Sequence, residues 1–129
     1  MKKVTKWVAA LAVAVALAGC ARTAPVDNIQ STVSGTHTAQ QVRTAILKAG
    51  KQRDWMMTDA GPGVINGRLK NRDHSAEIRI PYSANGYSIN YVGSSNLKAS
   101  NGKIHKNYNR WVNNLDKDIQ LNLSTGADL

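Results

Sequence analysis

The chain has 129 residues, 17 Lys and Arg against 8 Asp and Glu for a net charge of +9, no Phe and a single cysteine. That length leaves room for at most one ordinary domain once any targeting segment is removed, and one cysteine excludes an internal disulfide, so the core must close by packing alone. A pI of about 10.0 points toward anionic surroundings and away from acidic, self-repelling function classes.

The first residues, Met1, Lys2, Lys3 and Lys6, are followed by the apolar run Trp7 to Leu17 and by small residues ahead of Cys20. This is the pattern of an export leader. The run covers 11 residues, whereas a membrane-spanning helix needs roughly 20. Leu17-Ala18-Gly19-Cys20 resembles the lipobox of bacterial lipoproteins, and the likeness extends over residues 1 to 20. The resemblance implies a diacylglycerol on the Cys20 thiol, removal of residues 1–19 as a signal peptide, and a fatty acyl chain such as palmitate on the new amino terminus. One acyl chain holds a protein to a bilayer only marginally, while two or three hold it stably, at about 0.8 kcal/mol per buried CH₂. Ala21 and Arg22, in place of an Asp, follow the cysteine; in a two-membrane cell the resemblance then implies sorting to the outer membrane, facing the periplasm. The alternative is an ordinary secretory leader that leaves Cys20 as a free thiol.

Residues 21 to 37 are rich in Ser, Thr, Gly and Pro and show neither helical nor strand periodicity. They read as a flexible tether, 20–37 with the cysteine, whose root-mean-square span is roughly 20 to 25 Å. Thr38 is a good N-cap for a first helix, in which Ala39, Val42, Ala45, Ile46 and Ala49 make an apolar stripe with Arg43, Lys48 and Lys51 outside it. Its end falls at Gly50 or near Arg53. Short strands follow at Trp55–Thr58, Val64–Asn71, Ala76–Tyr82 and Tyr87–Val92, separated by the break Ala60-Gly61-Pro62-Gly63, the polar turn around Arg72-Asp73-His74, and a hairpin turn at Asn85-Gly86. Alternation places Ala76, Ile78, Ile80 and Tyr82 on one face and Glu77, Arg79 and Pro81 on the other; Ile65, Leu69, Tyr87, Ile89 and Tyr91 point inward by the same rule. Pro81 argues for an edge or a strand end. From Lys103 onward, Ile104, Tyr108, Trp111, Val112, Leu115 and Ile119 share one helical face. The expectation is an α+β two-layer sandwich over residues 38–124, an antiparallel meander of three to four strands flanked by an N-terminal and a C-terminal helix, with a short tail at 125–129. Lacking Phe, its core draws bulk from Trp55, Trp111 and the tyrosines.

Taking off the leader removes three of the 17 basic residues and no acid, so 14 cations face 8 carboxylates, a net +6. Lys103, Lys106, Arg110 and Lys117 fall within about 60° of one another, opposite the apolar stripe of the second helix. Outward strand positions add Arg68, Lys70 and Arg79, with Glu77 opposite Arg68. These cations are the candidate binding groups for lipid headgroups, an anionic envelope polymer or an acidic protein; plain solvation of an outward face is the competing reading. Nucleic acid is not the expected partner of an exported, anchored chain. No catalytic set emerges: Asp73-His74 is adjacent in sequence only, His37 and His105 lie far apart without metal-ligand spacing, and Gly61-Pro62-Gly63 lacks the Lys-Ser/Thr of a phosphate loop. No metal or cofactor is expected. Asn122-Leu123-Ser124 matches a glycosylation sequon by chance, given a bacterial leader.

The function expected is that of a membrane-anchored lipoprotein acting as a non-enzymatic binding or accessory module of the cell envelope. Two alternatives stand beside it: an envelope hydrolase, which needs converging acidic or nucleophilic groups, and an inhibitor or immunity-type partner of a secreted enzyme, which needs a protruding loop at 71–75 or 93–102.

Overall fold

The computed structural model describes residues 23–97 and 103–125. The expected leader with its Leu17–Cys20 motif, part of the 93–102 loop and most of the expected tail lie outside the described residues.

The first helix, α1, spans Ala39–Gln52. Thr38 starts it with a capping box, in which Gln41 N donates to Thr38 Oγ1 at 3.1 Å and Thr38 N donates to Gln41 Oε1 at 2.9 Å, satisfying two otherwise unpaired groups at the helix start. Gly50 is not the stop. The helix runs on to Arg53, and Asp54 adopts the left-handed conformation at φ 63°. Asp54 N then bonds Lys51 O and Trp55 N bonds Gly50 O, the reciprocal pair that closes helix C-termini. Gly50 instead serves packing: a Cβ there would lie 2.5 Å from the Met57 side chain.

The strands are β1 (Thr23–Pro25), β2 (Ile29–Thr32), β3 (Met56–Asp59), β4 (Val64–Asn71), β5 (His74–Ser83), β6 (Gly86–Ser95) and β7 (Lys103–His105), followed by helix α2 (Lys106–Thr125). Five of them form an antiparallel sheet ordered β2-β6-β5-β4-β3, and β1 pairs with β7 in a separate ribbon. Both helices pack on one face of the five-stranded sheet. The fold is therefore the α+β two-layer sandwich, with five strands in its sheet rather than three to four.

The extra strand comes from the segment read as a tether. Ile29 and Ser31 turn inward, Gln30 and Thr32 outward, and the backbone pairs from Ile29↔Ile89 to Thr32↔Gly86. Four residues of mostly polar sequence are too short to display a period, but an edge strand needs only one neighbour to satisfy its hydrogen bonds. Lys103 and Ile104 also depart from expectation. They belong to β7, not to the second helix, which starts at Lys106. Ile104 falls in helical phase with the later apolar residues, yet its backbone is taken by Ala24, a partner that a flexible tether would not offer.

Other local features have clear causes. Gly61 and Gly63 hold φ of 125° and 76° in the β3–β4 turn, values open chiefly to glycine. The β5–β6 turn is made by Ala84 and Asn85 with no positive φ. Gly86 is required for another reason, since a Cβ there would sit 2.8 Å from Ser31 O of the neighbouring strand. Pro81 lies in the central strand rather than at an edge, and the β5–β6 pairing is interrupted between Arg79↔Asn90 and Tyr82↔Tyr87, as its missing N–H requires.

The core is dominated by isoleucine. Ile46, Ile65, Ile78, Ile80, Ile89 and Ile119 are all fully buried, and of the expected aromatic residues Trp55, Tyr87 and Tyr108 are buried with them while Trp111 is only partly so. Tyr91 meets the Tyr108 ring edge to face, centroids 5.2 Å apart. Asn122 is buried between the helices and donates to Ala45 O at 3.2 Å, so its amide nitrogen is a structural group. A second polar tie joins sheet to helix: Asp116 Oδ1 accepts from Ser31 Oγ at 2.8 Å and from Tyr87 Oη at 2.5 Å, and Gln120 Nε2 donates to Tyr87 Oη. Burial, reinforced by the Asp116 carboxylate, pushes the Tyr87 phenol well above its ordinary range.

Candidate functional site

The candidate cations do not converge. Strand alternation sends Arg68, Lys70 and Arg79 to the sheet face that carries no helix, where all three are exposed. Lys106, Arg110 and Lys117 are exposed on α2, on the side away from buried Tyr108, Val112, Leu115 and Ile119. In a two-layer sandwich these are opposite surfaces. Lys103, placed with them by the sequence, is a strand residue in β7.

On the sheet face Arg68 and Arg79, but not Lys70, border a depression of about 350 Å³ lined also by Met56, Thr58, Asn66, Gly67, Glu77, Ile78 and Val92. Arg68 stands across from Glu77, with Nε 4.0 Å from Oε1, as the strand register implied. Arg79 Nε donates to Asn66 Oδ1 at 3.4 Å. Two large apolar side chains stand out of the same face, Met56 at 72% exposure and Val92 at 50%. Val92 points outward by the alternation of β6, one residue past inward Tyr91, and it is also the extra residue of a bulge, since Tyr91 pairs with Ile78 and Gly93 with Glu77. Composition and alternation could place the arginines here. No sequence signal marked the bulge, because it exists only in the register between β5 and β6.

On the helix side two cations that the sequence sets outside the apolar stripe of the first helix, but not among the candidate binding groups, join the basic surface. Lys48 and Lys51 lie on α1 away from its buried stripe, and α1 contains no acidic residue at all. The signal was available in the acid-free composition of residues 39–52. The acids of α2 are both engaged: Asp116 by Ser31 and Tyr87, Asp118 by Arg53 at 2.6 Å. Leu121 is exposed to 60% on this surface.

A smaller cleft of about 260 Å³ lies where the end of β4 meets α2, lined by Trp55, Lys70, Trp111 and Asn114 among others. The histidines are dispersed. His37 lies against Leu123 O at 3.1 Å, and His74 Nδ1 against Asn96 O at 2.8 Å. Among the described residues no three His, Cys, Asp or Glu side chains come together in a way that could hold a metal ion, and no helix is long and apolar enough to cross a membrane. The loop at 71–75 does not protrude. Asn71 pairs with His74 around the two-residue turn Arg72-Asp73, which Asn96 Nδ2 braces through Asp73 O at 3.0 Å.

Compared with known proteins, the chain matches no family model and no curated protein.

Proposed function

We propose that the chain is a bacterial lipoprotein, tethered through a thioether-linked diacylglycerol on Cys20, and that its α+β domain is a binding module of the cell envelope rather than an enzyme. The observation that carries this reading is the leader, where Lys2, Lys3 and Lys6, an apolar run and Leu-Ala-Gly-Cys stand in the order that lipoprotein processing uses. Ala21 and Arg22 after the cysteine support residence at the outer membrane, facing the periplasm. The uncovered sheet face is the binding surface. Its depression combines two arginines with exposed Met56 and Val92, a mixture suited to an envelope protein or polymer that presents anionic groups beside apolar ones. Nucleic acid is not proposed as a partner.

Two measurements test this. Intact-mass analysis of the native product is expected to find Cys20 at the amino terminus carrying acyl mass; an unmodified thiol overturns the anchor, and Cys20→Ala is expected to abolish lipid labelling. A photo-crosslinking residue at position 92, used in intact cells, is expected to capture a partner that Arg68→Glu with Arg79→Glu releases. Capture that is indifferent to this charge reversal overturns the sheet face as the binding surface.

A further inference from the structure

The cations of the helix layer form a surface of their own. Lys48 and Lys51 of α1 and Lys106, Arg110 and Lys117 of α2 lie away from the core, and no hydrogen bond or ion pair ties any of these side chains among the described residues. The helices contribute no carboxylate against them, since α1 has none, Asp118 is held by Arg53, and Asp116 is bound to Ser31 and Tyr87. Two acids adjoin this surface: Asp27, beside α2, which accepts from Asn113 Nδ2 at 3.1 Å, and exposed Asp54, just past the end of α1 with its N–H on Lys51 O. A merely solvated helix face has no need to exclude acids; mixed signs serve solvation equally well and add i,i+4 pairs.

The chain also enters the fold at this surface. Thr23 pairs with His105, the residue immediately before Lys106. Downstream, Asn109 donates to Pro25 O at 2.9 Å and accepts from Asp27 N at 3.0 Å. The amino-terminal segment therefore runs along the first turns of α2. Cys20 precedes Thr23 by three residues, and three residues span at most about 11 Å along any path. A lipid on Cys20 would hold the start of α2 at the headgroups, not 20 Å away on a flexible leash.

We infer that the outer surface of the helix layer, Lys51, Lys106, Arg110 and Lys117 with exposed Leu121 among them, lies on an anionic phospholipid surface, leaving the sheet face turned away from the membrane and open to its partner. Near a surface of negative phospholipids each such cation adds attraction that decays within a screening length. Leu121 adds apolar area at headgroup depth. The division explains why the cations occupy opposite faces: one set orients the domain on the bilayer, the other meets its ligand. This orientation rests on the thioether at Cys20.

The test uses the natively lipidated protein in nanodiscs of phosphatidylcholine alone or with phosphatidylglycerol, labelled with an amine-reactive acetylating reagent and read by mass spectrometry. Lys51, Lys106 and Lys117 are expected to label about fivefold more slowly in the anionic discs. Lys70, on the sheet face, is expected to label equally in both. Salt at about 1 M, where the screening length is about 3 Å, is expected to erase the difference. The triple reversal Lys106→Glu, Arg110→Glu, Lys117→Glu is expected to remove the protection at Lys51, and Arg68→Glu with Arg79→Glu to leave it intact. Equal labelling in the two kinds of disc, or protection of Lys70 instead, overturns the orientation. Protection seen only in whole envelopes also overturns it, because it assigns the surface to a protein. The mass at Cys20 reports the lipid separately, so failure of the anchor and failure of the orientation are told apart.

Discussion

The two outward surfaces of this sandwich are both basic, yet they are built differently. On the sheet, Arg68 faces Glu77 and Arg79 leans on Asn66, so charge is partly engaged and interleaved with exposed Met56 and Val92. On the helices, no carboxylate among the described residues pairs with Lys51, Lys106, Arg110 or Lys117, and both helical acids are turned to other work. A single net charge of +9 for the whole chain conceals this difference. The lesson is that arrangement, not sum, distinguishes a surface whose charges are paired and mixed with apolar groups from one whose charges are bare.

The largest effect expected from breaking this comparison comes from the layer that both surfaces share. Leu115 is fully buried, and Leu115→Ala is expected to cost about 2–5 kcal/mol in urea denaturation, loosening both faces together. Gly67→Ala is expected to act from the sheet side. Its new Cβ would lie 2.9 Å from Ile78 Cγ1 and from Met57 Sδ, an overpacking worth about 1–3 kcal/mol.

Asp116→Ala is expected to act from the helix side. It removes the carboxylate acceptor of Ser31 and of buried Tyr87, leaving the Tyr87 hydroxyl only the long contact to the main-chain oxygen of residue 116 at 3.4 Å, a loss of about 1–3 kcal/mol. The same cluster carries a pH signature. The Tyr87 phenol is raised from its ordinary 10.0, chiefly by burial and then by Asp116. Its contribution is thus complete below about pH 10 and is lost as pH climbs toward the folded value, because the unfolded chain ionises first. Tyr87→Phe is expected to make that alkaline arm of a stability-versus-pH curve shallower, the remainder coming from Tyr108, whose phenol burial likewise raises.

Reversing Arg68 and Arg79 is expected to change stability by no more than about 0.5 kcal/mol while abolishing capture at position 92. That outcome sharpens the contrast between faces that bind and a core that folds. The smallest effect is expected at the Arg43–Asp59 pair, whose atoms approach to 2.6 Å at the surface. The Arg43 guanidinium, through its hydrogen bond, holds the Asp59 carboxyl below its ordinary value. Its stabilisation is present above about pH 4 and fades as pH falls through the lowered value, so Asp59→Asn is expected to alter only the acid end of the melting profile.

How legible these features were depends on how local they are. The inward set Ala76, Ile78 and Ile80 and the outward set Glu77 and Arg79 follow from a period of two, and the buried face of α2 from a period of 3.6. Thr38 announced its helix through a capping box that lies within four residues. By contrast, β2, β1 and β7 are short, mostly polar, and paired with segments far along the chain. Their strand character is conferred by those partners. Lys103 was misplaced for the same reason.

Sequence alone determined which residues of each long strand and helix turn inward, because side-chain direction is set by backbone period and needs no knowledge of the rest of the chain. Only the tertiary structure decided that both helices cover the same face of the sheet, that the candidate cations divide between opposite surfaces, and that the chain emerges beside Lys106. Those outcomes depend on which surfaces exclude water against each other, a choice made among segments tens of residues apart and recorded in no local pattern.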